Sequence, residues 1–232
     1  MLWDILKSHY LAPNSKSYFM SLIEERLVSY KATNSYSTLN TLNEETEYVW
    51  IVFHGIGYLS RYFIRLFQHL DSKTNYVVAP QAPSKYYKGE SYKKVGSSWL
   101  TKENTAIDKE NVLNYIDAVI EEESLLLNKN LIVLGYSQGV SIASRWVTSR
   151  KIKCDSLIFI SGGFPKELQK EDVEFLEDET RIIHILGKED PYFSKEKVDA
   201  EKERLQILMP HIEFRTHNGG HELDPKTLVD II

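Results

Sequence analysis

The chain contains a single cysteine, Cys154, among its 232 residues. One cysteine precludes an internal disulfide, and such usage is typical of proteins from a reducing compartment. We interpret Cys154 as a small residue that precedes a strand rather than as a reactive thiol. A domain of this length can bury a core large enough to fold without disulfides or metals.

Long apolar runs are also missing, because the longest apolar stretches are strand-sized and too short for a membrane span. The N-terminus carries Asp4 and Lys7 and has no uninterrupted apolar segment, so it does not resemble a signal peptide. The net charge of −5 gives no overall bias toward nucleic acid or anionic membranes. We therefore expect a cytoplasmic protein with no nucleic-acid partner and no stable membrane insertion.

Neither internal repeats nor low-complexity linkers divide the chain. We predict one domain over residues 1–232, in which residues 1–29 are an N-terminal extension of uncertain structure. Helical spacing of apolar residues around Tyr18–Leu27 predicts a short amphipathic helix there. The predicted strands are Leu27–Ala32, Ser35–Leu39, Tyr48–Phe53, Tyr76–Ala79, Leu131–Leu134, Ser156–Ile160, Arg181–Leu186 and Ile212–Thr216. The predicted helices are Leu59–Leu70, Asn104–Leu127, Gln138–Arg150, Ser194–Leu208 and Pro225–Ile232.

The central predicted strands are continuous apolar runs, as is typical of strands that helices cover on both faces. Strands and helices alternate along the chain. This pattern favours an α/β fold with a mostly parallel central sheet between two helical layers. We predict that the first two strands, Leu27–Ala32 and Ser35–Leu39, form an antiparallel edge.

The most informative motif is Gly-Tyr-Ser-Gln-Gly at residues 135–139. It follows the apolar run Leu131–Leu134 and precedes a helical pattern over Val140–Ser149. In this strand–turn–helix context, Gly-x-Ser-x-Gly forms a nucleophile elbow whose glycines let the strand and the helix pass closely. The motif therefore predicts Ser137 as a nucleophile beside the positive end of a helix dipole.

A serine nucleophile needs a base within hydrogen-bond reach, and the base needs an acid that orients it. The acid candidate is Asp190, just beyond the strand Arg181–Leu186, because the carboxyl ends of strands carry the site in open α/β sheets. Its neighbour Glu189 is the alternative acid, which we interpret as a solvated loop charge. The base candidate is His221, since a Gly-Gly pair before it can carry an imidazole back over the sheet. The main alternative base is His217, four residues earlier.

Acyl transfer also needs two fixed N–H donors where negative charge develops. One is expected to be the amide of Gln138, directly after the nucleophile. The second should come from the loop after Tyr48–Phe53, which reads His54-Gly55-Ile56-Gly57. Its position in the loop favours the amide of Ile56. We predict that His54 braces this loop and that His184, inside a strand, is structural.

Six motifs in order along the chain resemble the phospholipase/carboxylesterase family, which includes the acyl-protein thioesterases and has the α/β-hydrolase fold. These motifs are Phe53–Gly57, Ala79–Pro83, Trp99, Gly135–Gly139, Gly187-x-x-Asp190 and Gly220-His221. The resemblance covers about residue 48 to the C-terminus. It implies hydrolysis of carboxylic esters or thioesters through an acyl-enzyme, without a metal or cofactor.

The resemblance also implies a role for each matching residue. It makes Ser137 the nucleophile, His221 the base and Asp190 the acid that orients it. The amides of Ile56 and Gln138 become the oxyanion hole. The first part of the chain, before about residue 48, has no counterpart in the family pattern.

Two further residues are implied at the substrate site, Trp99 as part of the acyl site and Gly57 beside it. The chain departs from the family pattern at Val140, where glycine is often found, and at Tyr58, where an acidic residue is common. The segment Ser84–Lys94 interleaves lysines with tyrosines. We interpret it as a solvated loop at the mouth of the pocket, where it could favour acidic or phosphate-bearing esters.

These observations predict a serine hydrolase that cleaves carboxylic esters with small to medium acyl chains. An acyl-thioesterase or a lysophospholipase would use the same site. A peptidase and a non-catalytic binding module are further alternatives, and the complete Ser–Asp–His order argues against the binding module. The expected partner is a small-molecule ester, and a homodimer is compatible with the sequence.

Overall fold

We describe a computed structural model of the chain over residues 23–125, 130–176 and 180–229. The chain divides into two units, Met1–Thr33 and Asn34–Ile232. Residues 23–33 of the first unit contain no helix or strand. The predicted strand Leu27–Ala32 is therefore wrong, because an apolar pattern alone does not supply the neighbouring strand that backbone hydrogen bonds need. The helix predicted around Tyr18–Leu27 is absent from residue 23 onward, and its first part lies outside the described residues.

The second unit contains the strands and helices of the fold. Its strands are β1 (Tyr36–Leu39), β2 (Tyr48–Phe53), β3 (Asn75–Pro80), β4 (Ser84–Lys88), β5 (Lys94–Ser98), β6 (Asn130–Tyr136), β7 (Ser156–Ile160), β8 (Arg181–Gly187) and β9 (Glu213–His217). Its α-helices are α1 (Ser60–Phe63), α2 (Thr105–Glu122), α3 (Gln138–Arg150), α4 (Lys170–Val173), α5 (Lys195–Leu208) and α6 (Pro225–Val229). Two 3₁₀ turns follow α1 and α4 directly, at Ile64–Phe67 and Glu174–Leu176.

Among the described residues, seven strands form a central sheet in the order β1-β3-β2-β6-β7-β8-β9. Strand β1 pairs antiparallel with β3, and every other neighbouring pair is parallel. The antiparallel edge predicted from the sequence exists, but its second strand is β3 rather than Leu27–Ala32. The predicted mostly parallel α/β-hydrolase sheet is confirmed, and the carboxyl ends of β2, β6, β8 and β9 meet along one edge.

Side chains of the sheet divide between two cores because successive residues of a strand point to opposite faces. In β2, for example, Val49 and Ile51 belong to one buried cluster and Trp50 and Val52 to the other. Buried residues of α2, α3 and α5 join the first cluster. The turn Ile64–Phe67 and helices α1 and α6 join the second. Both faces are thus covered, which explains why the central strands are apolar throughout.

Two other predictions concern local structure. The predicted helix Leu59–Leu70 is shorter, since one α-turn is followed by a 3₁₀ turn that ends at Phe67. The segment predicted as a solvated loop, Ser84–Lys94, is exposed but belongs to an antiparallel hairpin of β4 and β5.

Burial raises the pKa of the Cys154 thiol to about 12, so this thiol is not reactive. None of the helices in the described residues combines the length and apolarity needed to cross a membrane.

Candidate active site

Ser137 lies in a strained turn between β6 and α3. Its backbone angles are φ 53° and ψ −118°, a region that residues other than glycine rarely occupy. The turn is fixed from the next strand, since the Ser137 amide donates a 2.8 Å hydrogen bond to the carbonyl of Ile160. A Cβ on Gly139 would collide with the carbonyl oxygen of Phe53, so α3 begins directly against the end of β2. This geometry holds the Ser137 hydroxyl at the carboxyl edge of the sheet.

The structure brings together the three side chains that the sequence singled out. His221 Nε2 lies 2.8 Å from Ser137 Oγ, and His221 Nδ1 lies 2.7 Å from Asp190 Oδ2. The other carboxylate oxygen, Asp190 Oδ1, accepts a 3.0 Å hydrogen bond from the amide of Tyr192. An ionised carboxylate only accepts hydrogen bonds, so Nδ1 carries the imidazole proton. Nε2 is then free to accept the proton of the serine hydroxyl.

Burial differs along this hydrogen-bonded chain. The Asp190 side chain has no exposed surface, whereas 22% of the His221 side chain is exposed. The acid is therefore sealed behind the imidazole, and the base faces the side from which a substrate can approach. The alternative acid, Glu189, is exposed and takes no part in the hydrogen bonds that link Asp190, His221 and Ser137.

Two tyrosines that the sequence analysis did not single out hold the loop that carries His221. The Tyr136 hydroxyl donates a 2.8 Å hydrogen bond to the carbonyl of His221, and burial raises the pKa of this hydroxyl, which keeps it protonated. The ring of Tyr192 lies 4.7 Å from the imidazole in an edge-on arrangement. Tyr136 occupies the variable position of the serine motif, so nothing in that motif indicates its role.

The alternative base, His217, is the last residue of β9 and does not reach Ser137. Its side chain is buried, and neither ring nitrogen has a hydrogen-bond partner within the part of the chain that the structure describes. Residues 218–221 follow β9 as a loop, and His221 on this loop, not His217, lies beside Ser137.

The loop after β2 lies against the nucleophile. A Cβ on Gly55 would come within 3.0 Å of the Cβ of Ser137. The Gly57 amide is already used, because it donates a 2.8 Å hydrogen bond to the carbonyl of Ser97. For the amides of Ile56 and Gln138, we find no acceptor in residues 23–125, 130–176 and 180–229. These two amides are therefore available as donors for an oxyanion.

His54 fixes the direction of the Ile56 amide. Its Nε2 accepts a 3.2 Å hydrogen bond from the amide of Ala82, so the ring proton is on Nδ1, which donates to the Gly55 carbonyl at 2.8 Å. The Gly55 carbonyl and the Ile56 N–H belong to one planar trans peptide and point in opposite directions. Because the Gly55 carbonyl points toward His54, the Ile56 N–H points away from His54. This contact agrees with the bracing role expected for His54.

Gly57 offers a test of this loop, because its φ of +83° disfavours any side chain. We predict that Gly57→Val displaces the Ile56 amide and lowers kcat for a neutral ester by about 100-fold, the usual effect of losing one oxyanion donor. Gly89→Val is the matched control, because Gly89 also has a positive φ (+71°) but lies at the hairpin tip with no described atom near its Cβ position. Equal losses of activity in the two variants, or a loss that only follows the fraction of folded protein, would contradict this role.

Two buried histidines predict how stability depends on pH. Burial lowers the pKa of His54 and of His184 from 6.5 to about 4. Between these values the unfolded chain binds protons that the folded protein does not. The stabilisation is therefore complete above pH 6.5 and is lost as the pH falls toward 4, by about 1 kcal/mol per pH unit for each histidine.

We expect the urea midpoint of unfolding to fall steadily from pH 6.5 to pH 4.5, a range above the ordinary pKa of carboxylates. In His184→Asn the slope should be about half as steep, because one of the two groups is gone. A midpoint that stays constant over this range would show that the histidines are not buried in neutral form.

Trp99 does not occupy the expected position in an acyl site. Its side chain is fully buried, and its indole N–H donates a 2.8 Å hydrogen bond to the carbonyl of His54. The Trp99 amide donates to Oε1 of Gln138 at 2.9 Å. The indole thus supports the loop from behind, and the side chain of Gln138 ties the start of α3 to the same segment. Gly57 lies at the loop edge and Ile56 next to it is 55% exposed.

In the described residues, no group of three histidine, cysteine or acidic side chains is arranged to hold a metal ion. The chemistry that the described groups can perform is acyl transfer, because hydrogen bonds link a hydroxyl, an imidazole and a carboxylate, and two amides without a described acceptor lie on the adjoining segments.

Comparison with known proteins agrees with the fold and identifies the family. The sequence model of the phospholipase/carboxylesterase family matches residues 34–232. No curated protein sequence matches the chain. Solved structures with the same fold include acyl-protein thioesterase 2 from Zea mays, with a TM-score of 0.66 and 14% identity over 86% of this chain and 96% of that one.

Two further solved structures give similar superpositions. A phospholipase/carboxylesterase from Dyadobacter fermentans has a TM-score of 0.61 and 18% identity over 87% of this chain and 97% of its own. Esterase PE8 has a TM-score of 0.61 and 20% identity over 87% of this chain and all of its own (100%). At these identities the superpositions establish the fold, and the sequence model establishes the family. The chain belongs to the phospholipase/carboxylesterase family of α/β-hydrolases.

Proposed function

We propose that this protein is a serine hydrolase that cleaves carboxylic esters with small to medium acyl chains through an acyl-enzyme. The observation that carries the proposal is the unbroken chain of hydrogen bonds from Asp190 through His221 to Ser137. It ends beside the amides of Ile56 and Gln138, which have no acceptor among the described residues. The proposed chemistry uses protein groups and water alone.

In the first half of the reaction, Ser137 Oγ attacks the acyl carbon while His221 Nε2 takes the hydroxyl proton. The carbonyl oxygen becomes negative and is stabilised by the two amides. When the intermediate collapses, the bond to the alcohol oxygen breaks and His221 returns the proton to that oxygen. In the second half, water attacks the acyl carbon while His221 Nε2 takes its proton. The bond from the acyl carbon to Ser137 Oγ then breaks, His221 returns the proton to Oγ, and the carboxylic acid is released.

Asp190 holds the imidazole in the tautomer that this sequence of steps needs. The burial of its carboxylate strengthens the hydrogen bond to Nδ1, because water does not compete for it. The charge of the imidazolium that forms during each attack is stabilised by the same carboxylate.

Apolar surface beside Ser137 supports binding of an acyl chain. Ile56 is 55% exposed and Tyr192 is 66% exposed, and both adjoin the proposed catalytic groups. A chain that covers these side chains would gain about 0.8 kcal/mol per buried methylene, or roughly fourfold in kcat/KM. Specificity should therefore rise with chain length until the apolar surface is covered.

A series of p-nitrophenyl esters from acetate to dodecanoate tests this proposal. We expect kcat/KM to rise by roughly fourfold per methylene over the shorter chains and to reach a maximum within the series. Ser137→Ala is the control for uncatalysed hydrolysis. Equal kcat/KM from acetate to octanoate would argue against an acyl site of defined length.

The family and the name of the maize relative also make an acyl thioester a candidate substrate. The same groups would cleave a thioester, with sulfur in place of the leaving oxygen. Comparing a butyryl thioester with the butyrate ester of equal chain length separates the two. A kcat/KM at least tenfold higher for the thioester would assign the protein as a thioesterase.

A further inference from the structure

The hairpin of β4 and β5 differs in charge from the rest of the chain. Residues 84–98 contain four lysines and one acidic residue, whereas the whole chain has a net charge of −5. Residues 83–95 are all exposed. A positively charged, exposed hairpin on an acidic protein is suited to contact a negatively charged group.

The base of this hairpin is fixed to the loop beside the proposed oxyanion hole. The carbonyl of Ser97 accepts a 2.8 Å hydrogen bond from the Gly57 amide, and the Ser97 hydroxyl donates to the carbonyl of Tyr58 at 2.7 Å. A Cβ on Gly96 would come within 2.8 Å of the Cα of Gly57. The two backbones are therefore in direct contact, and the position of the hairpin relative to Ser137 is set by the fold.

One lysine reaches from the hairpin onto this loop. The ammonium of Lys88 lies 3.3 Å from the carbonyl oxygen of Gly57, and it would lie 3.2 Å from a Cβ at that position. Gly57 is two residues from Gly55, which touches Ser137, and two residues span at most about 7 Å. The ammonium of Lys88 thus lies on the same short loop that contacts Ser137, so a substrate with an extended acyl or alcohol group can reach both.

A second lysine faces the first across the hairpin. Lys88 pairs with Lys94 in the antiparallel register, and directly paired residues project from the same face. Like charges in this position destabilise a hairpin. Over the described part of the chain, no carboxylate forms an ion pair with either lysine. An anion between the two ammonium groups would remove the repulsion.

Tyr86 adds a neutral donor on the same face. It lies two residues before Lys88 in β4, so both side chains point to one side of the hairpin. Its hydroxyl oxygen would be 3.5 Å from a Cβ on Gly57. A hydroxyl and two ammonium groups supply hydrogen-bond donors and no negative charge. Carboxylate and phosphate groups accept hydrogen bonds from such donors.

We propose that Lys88 and Lys94 bind a carboxylate or phosphate on the substrate, so that the enzyme prefers anionic esters to neutral ones. This inference rests on the proposed hydrolase function and names its substrate class. The anion can be carried by the acyl chain or by the alcohol, and the two pairs of test substrates distinguish these cases.

The test compares anionic and neutral substrates of matched length within each variant. For the acyl side, mono-p-nitrophenyl glutarate is paired with p-nitrophenyl pentanoate. For the alcohol side, 4-acetoxybenzoate is paired with its methyl ester. We expect the wild-type protein to favour the anionic member of at least one pair by roughly fivefold to tenfold in kcat/KM, the size of one charged hydrogen bond at a partly exposed site. The pair that shows the preference identifies the side that carries the anion.

Three variants assign the preference to its residues. Lys88→Met keeps the aliphatic stem and should abolish the preference, chiefly through a higher KM for the anionic ester, while Lys88→Arg should retain most of it. The matched control is Lys85→Met, which removes the same charge from the opposite face of β4, where Lys85 bonds to Asn34 Oδ1. The preference should also fall as salt is raised from 20 to 500 mM, a range in which screening becomes strong.

The possible results distinguish failure of the anion site from failure of the hydrolase assignment. Hydrolysis of the neutral esters without a preference for either anion would overturn the anion site and leave the hydrolase assignment in place. An equal loss of preference in Lys88→Met and Lys85→Met would show an effect of overall charge and would also overturn it. Absence of Ser137-dependent hydrolysis of any ester would overturn both proposals.

Discussion

We expect alanine at Ser137 or at His221 to lower kcat for p-nitrophenyl butyrate by about 10⁶-fold, because the two side chains act as one unit. In the proposed mechanism, the first proton transfer runs along the 2.8 Å contact between His221 Nε2 and Ser137 Oγ. Once one of the two side chains is missing, the other no longer contributes to the proton transfer. The double variant should therefore be no slower than either single variant, with residual catalysis of about 10³-fold over water from the amide donors.

His217→Gln is the matched control for His221→Ala, since it changes a neighbouring histidine that does not reach the serine. Its kcat should stay close to that of the wild-type protein, after correction for the folded fraction by circular dichroism. A large loss of kcat in His217→Gln with little loss in His221→Ala would reverse the assignment of the base. Losses that multiply in the double variant would show that Ser137 and His221 act independently.

Asn in place of Asp190 should lower kcat by about 10⁴-fold with little change in fold. Asp190 Oδ1 accepts a hydrogen bond from the Tyr192 amide, so we expect the asparagine side-chain oxygen to take the position of Oδ1. Its NH₂ group then faces His221 Nδ1, whose N–H donates a hydrogen bond to Oδ2 in the wild-type protein. The imidazole would have to carry its proton on Nε2, and it could no longer accept one from Ser137.

The neighbouring acid supplies the control for this prediction. Glu189→Gln removes an exposed carboxylate from the same loop and should leave kcat within about twofold of the wild-type value, as surface changes usually do. A kcat for Asp190→Asn that is lowered by less than tenfold would show that orientation of the imidazole does not depend on Asp190.

The residues of the candidate site could be predicted because each lies in a local signature at the end of an apolar strand. Ser137 lies between glycines after β6, and His221 follows a Gly-Gly pair after β9. Parallel strands align their carboxyl ends, so such signatures are brought together by the sheet itself. The choice between His221 and His217 was also made from the glycines, and the structure places His221 beside the serine.

Contacts between segments that are distant in sequence could not be predicted. The bracing by Tyr136 of the His221 loop depends on the way two strand ends meet, and the tyrosine occupies a position where the motif allows any residue. The family resemblance implied that Trp99 is part of the acyl site. It is buried instead, and its N–H holds the His54 carbonyl, a contact that no local pattern indicates.

The β4–β5 hairpin was missed for a different physical reason. Strand prediction relies on alternation of apolar and polar residues, which arises when one face of a strand is buried. The hairpin is exposed over residues 83–95, so its sequence carries no such alternation. Leu27–Ala32 shows the opposite error, because an apolar pattern predicted a strand where the structure has none.

The most direct test of the catalytic assignment is covalent labelling with a fluorophosphonate, which traps an activated serine as a stable phosphonate ester. We expect intact-protein mass spectrometry to show one adduct per chain, peptide mapping to place it on Ser137, and activity to fall in proportion to labelling. Ser137→Ala should not be labelled, and His221→Ala should be labelled far more slowly. A stoichiometric adduct on another residue, or full activity after Ser137 has been modified, would contradict the proposed mechanism.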